Sequence, residues 1–264
     1  MPILVALLLG LVQGLCEFLP VSSSGHLVLL HTLFGLSGGT LFFTILLHLG
    51  TLLAVIAVYR KTLLDLLRHP FQKKMGMLLL ALVPTVVMAA LFRDFFEASY
   101  AGLSLGFEFL ATACLLLLAQ RAKSGGKTMQ TMTPADALLV GLMQSVSILP
   151  AVSRSGATIA GGLFRGMEKK EAADFSFLLS VPAILGSVVF DLPALLRGGT
   201  GGVSAGAIFA GVAAAAVSGY FSIRVMLRAV TGRRLTPFAW YTGALGTLIL
   251  ADQFAFNRFF ARPF

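Results

Sequence analysis

Apolar residues run along this chain in long blocks separated by short basic stretches. Blocks long enough to cross a bilayer as helices of about 20 residues fall near 41–59, 76–92, 101–119, 175–191, 203–222 and 236–252. Six crossings are expected. Two more apolar regions, near 2–35 and 137–165, are each cut in the middle by a proline and a serine-glycine turn. Pro20 and Pro150 should end their helices, and Ser22 or Ser153 can cap the helix that follows. Each half is too short to span, so both regions read as re-entrant helix hairpins. Their tips would lie at membrane depth, enclosed by protein.

The second region repeats the first 131 positions later, without a gap. Gly10, Gln13, Val21, Ser22, Ser24 and Gly25 recur as Gly141, Gln144, Val152, Ser153, Ser155 and Gly156. The first-half spans, shifted by the same amount, fall close to the second-half spans. The pattern therefore predicts an all-α integral membrane protein, one membrane domain over 1–264, made of two inverted-topology repeats, 1–130 and 131–264. Each repeat is a re-entrant hairpin plus three transmembrane helices, and an odd number of crossings turns the second copy upside down. Such folds place a ligand near the midplane, where the broken helices meet. Three differences between the copies change the chemistry: Glu17 against Ile148, Ser23 against Arg154, and His26 against Ala157.

Composition agrees, with 57% hydrophobic and 12% charged residues where soluble domains have about 25% charged. The net charge of +9 does not point to nucleic acid, because the cations are spread over short loops. The segments 60–75, 120–136, 165–174 and 223–235 hold 15 of the 20 Lys and Arg, which marks them as cytoplasmic. Arg93, Arg197, Arg258 and Arg262 fall on the other side, and Arg154 stays inside the membrane. The first hairpin then dips from outside, the second from the cytoplasm, and both termini lie outside. Cys16 and Cys114 have no metal-type spacing and read as buried thiols.

Ionisable groups at bilayer depth cost about 2.5–3.5 kcal/mol each on insertion scales, so they are usually kept for a task. Gln13 and Glu17, four apart, share a helix face. Two helix N-termini rich in serine, with one arginine, make an anion site, and phosphate is the natural anion. Ser23 and His26 are a candidate nucleophile and base. Glu17 could orient His26 or hold a divalent cation. Glu108, without a motif around it, reads as a buried hydrogen-bonded acid; His31 and His48 read as core hydrogen-bonding groups, and His69 as solvated.

The run from Gln13 to His26 and the segment from Pro150 through Ser153-Arg154-Ser155-Gly156 to Thr158 resemble the two signature motifs of the bacterial undecaprenyl-diphosphate phosphatase family, the bacitracin-resistance type. The likeness covers essentially the whole chain. It implies a six-crossing inner-membrane enzyme that removes the terminal phosphate from undecaprenyl diphosphate, recycling the carrier lipid for cell-wall synthesis. By the same likeness Ser23 is the nucleophile, His26 and Glu17 are catalytic, and Arg154 grips phosphate, flanked by Ser153, Ser155 and Thr158; Ser22 and Ser24, at the other helix start, are further candidates to cap the backbone or bind phosphate. A divalent cation, Mg2+ or Ca2+, is implied too, with Glu17 and Gln13 as candidate metal ligands; glutamine stands where the motif's first acid is usual. The implied partners are the prenyl diphosphate lipid and membrane lipids, with a homodimer left open. The rival class is a polyprenyl-phosphate transporter or flippase, since inverted repeats also serve alternating access. A lipid phosphatase of the acid-phosphatase type needs a histidine six residues after the arginine, and that position is Ala160.

Overall fold

The computed structural model describes residues 1–35, 40–123, 125–198, 202–232 and 234–261. Among them the fold is all-helical, with one isolated β-bridge between Lys127 and Met167. In order come α1 (Ile3–Phe18), α2 (Ser23–Phe34), α3 (Thr40–Arg68), α4 (Lys73–Leu91), α5 (Arg93–Ser99), α6 (Leu105–Arg121), α7 (Pro134–Val146), α8 (Arg154–Phe164), α9 (Lys169–Gly198), α10 (Ala205–Thr231) and α11 (Thr236–Ala251), then a π-helical turn at Asp252–Phe256. A helix stands at each of the six expected crossings. Of these, α3, α4, α9 and α10 are long and apolar enough to cross a membrane. The 17 residues of α6 and 16 of α11 rise only about 25 Å, against a hydrocarbon core of about 30 Å. The chain is a multi-pass membrane protein.

Helices overrun the hydropathy boundaries. α3 was expected to end near 59 but continues to Arg68, bending at Tyr59 (φ −101, ψ 16), and α10 continues to Thr231. Much of the segments 60–75 and 223–235 is therefore helix rather than loop. Lys and Arg propagate a helix nearly as well as Leu, so the end of an apolar run marks where water begins, not where the helix stops.

Small residues set the packing. α1 lies on α10, where a Cβ at Gly10 would sit 2.2 Å from the Gly211 carbonyl oxygen. α7 lies on α4 in the same manner, with a Cβ at Gly141 2.2 Å from the Ala81 carbonyl oxygen. α11 meets α6 through Gly246 and Gly106, whose backbones would be wedged apart by any side chain. Lipid supplies no hydrophobic drive between helices, so such close backbone contact carries the association. The far side of α1 exposes Leu4, Leu8, Leu11 and Leu15, one stripe at helical spacing suited to lipid.

The four basic segments meet at one end of the bundle. Lys73 Nζ donates to the Gln130 carbonyl at 2.6 Å, the Leu235 amide donates to Gln120 Oε1 at 2.8 Å, and Lys127 and Arg165 both pair with Asp136, at 3.0 and 2.6 Å. Asp136 also closes a capping box with Thr133 that starts α7. Burial raises its pKa, but the Thr133 amide and the Arg165 and Lys127 donors more than reverse this and hold it well below the usual carboxylate range. Arg93 lies near the opposite end, over the Phe190 ring. Arg233, Arg262 and the Arg197 side chain lie outside the described residues.

Candidate active site

The turns between α1 and α2 and between α7 and α8 are the two tips, and each begins its second helix with a serine cap. Ser22 Oγ accepts the Gly25 amide at 3.3 Å, and Ser153 Oγ accepts the Gly156 amide at 3.1 Å, as expected for the helix-start role. The tips also interlock. Ser22 Oγ donates to the Pro150 carbonyl, and Ser155 Oγ to the Leu19 carbonyl at 3.2 Å. A Cβ at Gly25 would stand 2.9 Å from Ala151 Cα, so glycine is what lets the second tip close on the first. Ser22 sits at φ 66, a left-handed value that costs a non-glycine residue about 1–3 kcal/mol and clusters at functional sites.

Each tip is braced from the other half of the chain. On α6, Glu108 Oε2 accepts the Ala151 amide at 2.7 Å, and Thr112 Oγ1 donates to the Ala151 carbonyl at 2.9 Å while accepting the Ser153 amide at 3.1 Å. On α11, Tyr241 bonds His26 Nε2 at 2.7 Å through its hydroxyl and stacks on the imidazole with centroids 5.6 Å apart.

Beside the tips is a cavity of roughly 170 Å3 whose wall includes Glu17, Ser23, His48 and Arg154. Glu17 is its hub. Its Oε1 accepts Arg154 Nη2 at 2.7 Å, and its Oε2 accepts Ser23 Oγ at 2.6 Å and Gln13 Nε2 at 3.0 Å. Both charges are buried, Glu17 6% and Arg154 16% exposed in the side chain. A carboxylate that polarises a hydroxyl, next to a guanidinium with N–H groups to spare, is suited to an oxyanion and a nucleophile acting together.

Residues 6–248 match the family described as "Bacitracin resistance protein BacA". This chain belongs to the BacA family. It is 46% identical to the undecaprenyl-diphosphatase of Carboxydothermus hydrogenoformans, over 95% of this chain and 97% of that one. It is 42% identical to undecaprenyl-diphosphatase 4 of Bacillus cereus, over 94% and 96%, and 40% identical to the undecaprenyl-diphosphatase of Alkaliphilus metalliredigens, over 93% and 96%.

In this BacA-family chain the expected site residues divide into two groups. Glu17, Ser22, Ser23, Ser24, Ser153 and Arg154 reach the cavity wall. His26 does not: Nδ1 bonds the Ser22 carbonyl at 2.6 Å and Nε2 bonds Tyr241. Both nitrogens are engaged away from Ser23, and neither bonds its hydroxyl. The donor-acceptor partner of Ser23 is Glu17. Ser155 and Thr158, expected to bind phosphate, are spent on structure. The Thr158 hydroxyl bonds the Arg154 carbonyl at 2.8 Å and Ser176 Oγ at 2.6 Å.

Gln13 lies behind Glu17, off the wall, with Oε1 buried and unpartnered. Among the described residues no group of three or more His, Cys, Asp or Glu could hold a metal ion, and the oxygens of Glu17, the cavity's one carboxylate, are already bonded. That donor set does not fit a divalent cation held by the protein alone.

The residue missed in the sequence is His48, read there as a core group but standing on the cavity wall. Its signal was available, since its repeat counterpart is Leu179, the same polar-for-apolar divergence that singled out Glu17. The thiols differ too: Cys16 lines the cavity and Cys114 is exposed. Glu108 is the hydrogen-bonded buried acid that was expected, with its carboxylate bracing the second tip.

Proposed function

We propose that this chain hydrolyses undecaprenyl diphosphate to undecaprenyl phosphate and inorganic phosphate, returning the carrier lipid to cell-wall synthesis. The observation that carries the reading is the Glu17–Arg154 ion pair, formed across 137 positions of sequence between the two tips and joined by Ser23. The prenyl tail stays in lipid while the diphosphate enters the cavity. Arg154 has a planar fork of five N–H donors, and it turns those not used by Glu17 and the Ser176 carbonyl to the terminal phosphoryl oxygens. α2 and α8 both begin at the cavity, adding the positive ends of two helices. Ser23 attacks the terminal phosphorus, Glu17 takes its proton, and undecaprenyl phosphate leaves. His26 holds the first tip to α11.

The same reading takes the architecture as two inverted-topology repeats with re-entrant hairpins. An exchange of packing partners supports it: α1 lies on α10, and the counterpart of α1, α7, lies on the counterpart of α10, α4. The gathering of basic segments at one end supports a cytoplasmic placement for that end, in the bacterial inner membrane, with both termini outside. A magnesium or calcium ion, if carried in with the substrate, would supply Lewis-acid chemistry, while the residues of the cavity perform the binding and the proton transfer. Chelation with EDTA should then slow phosphate release without lowering the melting temperature, and an unchanged rate removes the ion from the proposal.

The decisive test is release of inorganic phosphate from undecaprenyl diphosphate by the purified protein in detergent. With no compartments to separate, transport cannot produce that signal, so its absence would sink the hydrolase reading and favour a carrier of polyprenyl phosphate. Rapid-quench trapping of phospho-Ser23 distinguishes serine from water as the attacking group.

A further inference from the structure

Among the described residues lining the cavity the one imidazole is His48, on α3, not the histidine of the motif. Its Nδ1–H donates to the Thr44 carbonyl at 2.9 Å, four residues back in the same helix. That bond fixes the tautomer, with the proton on Nδ1 and the lone pair on Nε2. Nε2 faces Glu17 Oε2 at 3.8 Å. Two acceptors at that separation do not bond each other, and a hydrogen-bond donor set between them would satisfy both. The His48 side chain is 21% exposed and lines the polar cavity. Ser23 Oγ lies 2.6 Å from the same carboxylate oxygen.

We propose that His48 is the general base that takes a proton from the attacking water, a role that rests on the phosphatase reading. In the second half-reaction the water oxygen bonds to phosphorus while the bond from phosphorus to Ser23 Oγ breaks. One water proton passes to His48 Nε2, and Ser23 recovers its own proton from Glu17, which took it in the first half. Inorganic phosphate leaves and His48 returns its proton to solvent. The charged and titratable groups that share the cavity with His48 are Glu17 and Cys16 from α1 and Arg154 from α8; the polar groups from α4, α7 and α9 are neutral, among them Thr85, Gln144 and Ser187.

The test compares wild type, His48→Gln and His26→Gln as purified full-length proteins in detergent with undecaprenyl diphosphate. His48→Gln should lower kcat about 10²- to 10³-fold, the usual range for a lost general base, with a melting temperature close to wild type. Undecaprenyl phosphate should appear in a burst of one equivalent while inorganic phosphate lags. A base works unprotonated, so the wild-type pH profile should carry an acidic limb that His48→Gln lacks and His26→Gln keeps. A folded His48→Gln within about threefold of wild type, or loss of the limb from His26→Gln instead, overturns the proposal. A wild type that releases no phosphate sinks the phosphatase reading and this role with it. An active wild type beside an unimpaired His48→Gln sinks the role alone.

Discussion

The two tips share a capping pattern but differ in backbone, with Ser22 at φ 66 and Ser153 at φ −68, and in what they carry. Ser22 and Ser153 cap in the same way, and Gly10 and Gly141 each press against a carbonyl of the neighbouring helix at the same distance. Only one tip holds a carboxylate and the reactive hydroxyl; the other holds the guanidinium. Their braces differ as well: an acid and a threonine on α6 hold the second tip, and a tyrosine-histidine pair on α11 holds the first. The lesson is that positions retained between copies build the scaffold, and positions where the copies diverge supply the chemistry.

That comparison can be broken at its chemical positions first. Arg154→Ala should reduce phosphate release by about a thousandfold or more, as for loss of an oxyanion donor, and destabilise by about 3–5 kcal/mol because Glu17 is left buried and unpaired. Adding Glu17→Gln to a volume-matched Arg154→Met should recover stability but not activity, read by thermal unfolding beside the phosphate assay. Recovery of both would mean that the pair is only a staple. Ser23→Ala and Ser155→Ala give a finer contrast. The first should abolish most turnover, about a hundredfold or more. The second should cost about 1 kcal/mol of stability, the worth of a lost hydrogen bond, with activity near normal. Equal losses of activity would contradict the assignment of Ser155 to structure.

The scaffold positions come next. Gly10→Ala and Gly141→Ala should each destabilise by about 1–3 kcal/mol through overpacking, and by similar amounts, as thermal unfolding in detergent would report. A large effect at one and none at the other would break the equivalence of the two copies. Glu108→Gln tests the brace and should have the smallest effect, about 1 kcal/mol, because the amide oxygen still accepts from Ala151. Collapse of activity with retained stability would instead give Glu108 a part in the reaction.

Much of the fold was legible because membrane burial writes itself into the chain. Apolar runs gave a helix at each of the six expected places, four of them long and apolar enough to span, Pro20 and Pro150 gave the two breaks, and the 131-residue repeat paired the tips. Helix ends were not legible: α3 and α10 run past their apolar stretches because basic residues extend a helix without leaving a mark in hydropathy. Within the site, Glu17, Ser23 and Arg154 were found as polar groups standing where the chain should be apolar. The places of His26, Ser155 and Thr158 were not legible, because a polar side chain next to a tip can face the cavity or brace the turn, and sequence spacing is the same for both.

The amino-acid sequence alone determined that this is a helical membrane protein in which a motif recurs 131 positions on, with Glu17, His26 and Arg154 standing in otherwise apolar, interrupted helices. Tertiary structure decided which imidazole faces the cavity. His48 reaches Glu17 from a different helix, while His26, three residues from Ser23, is drawn away by Tyr241, 215 positions along the chain. Hydrogen-bond partners are chosen by distance in space, and neither of those distances is written in the order of residues.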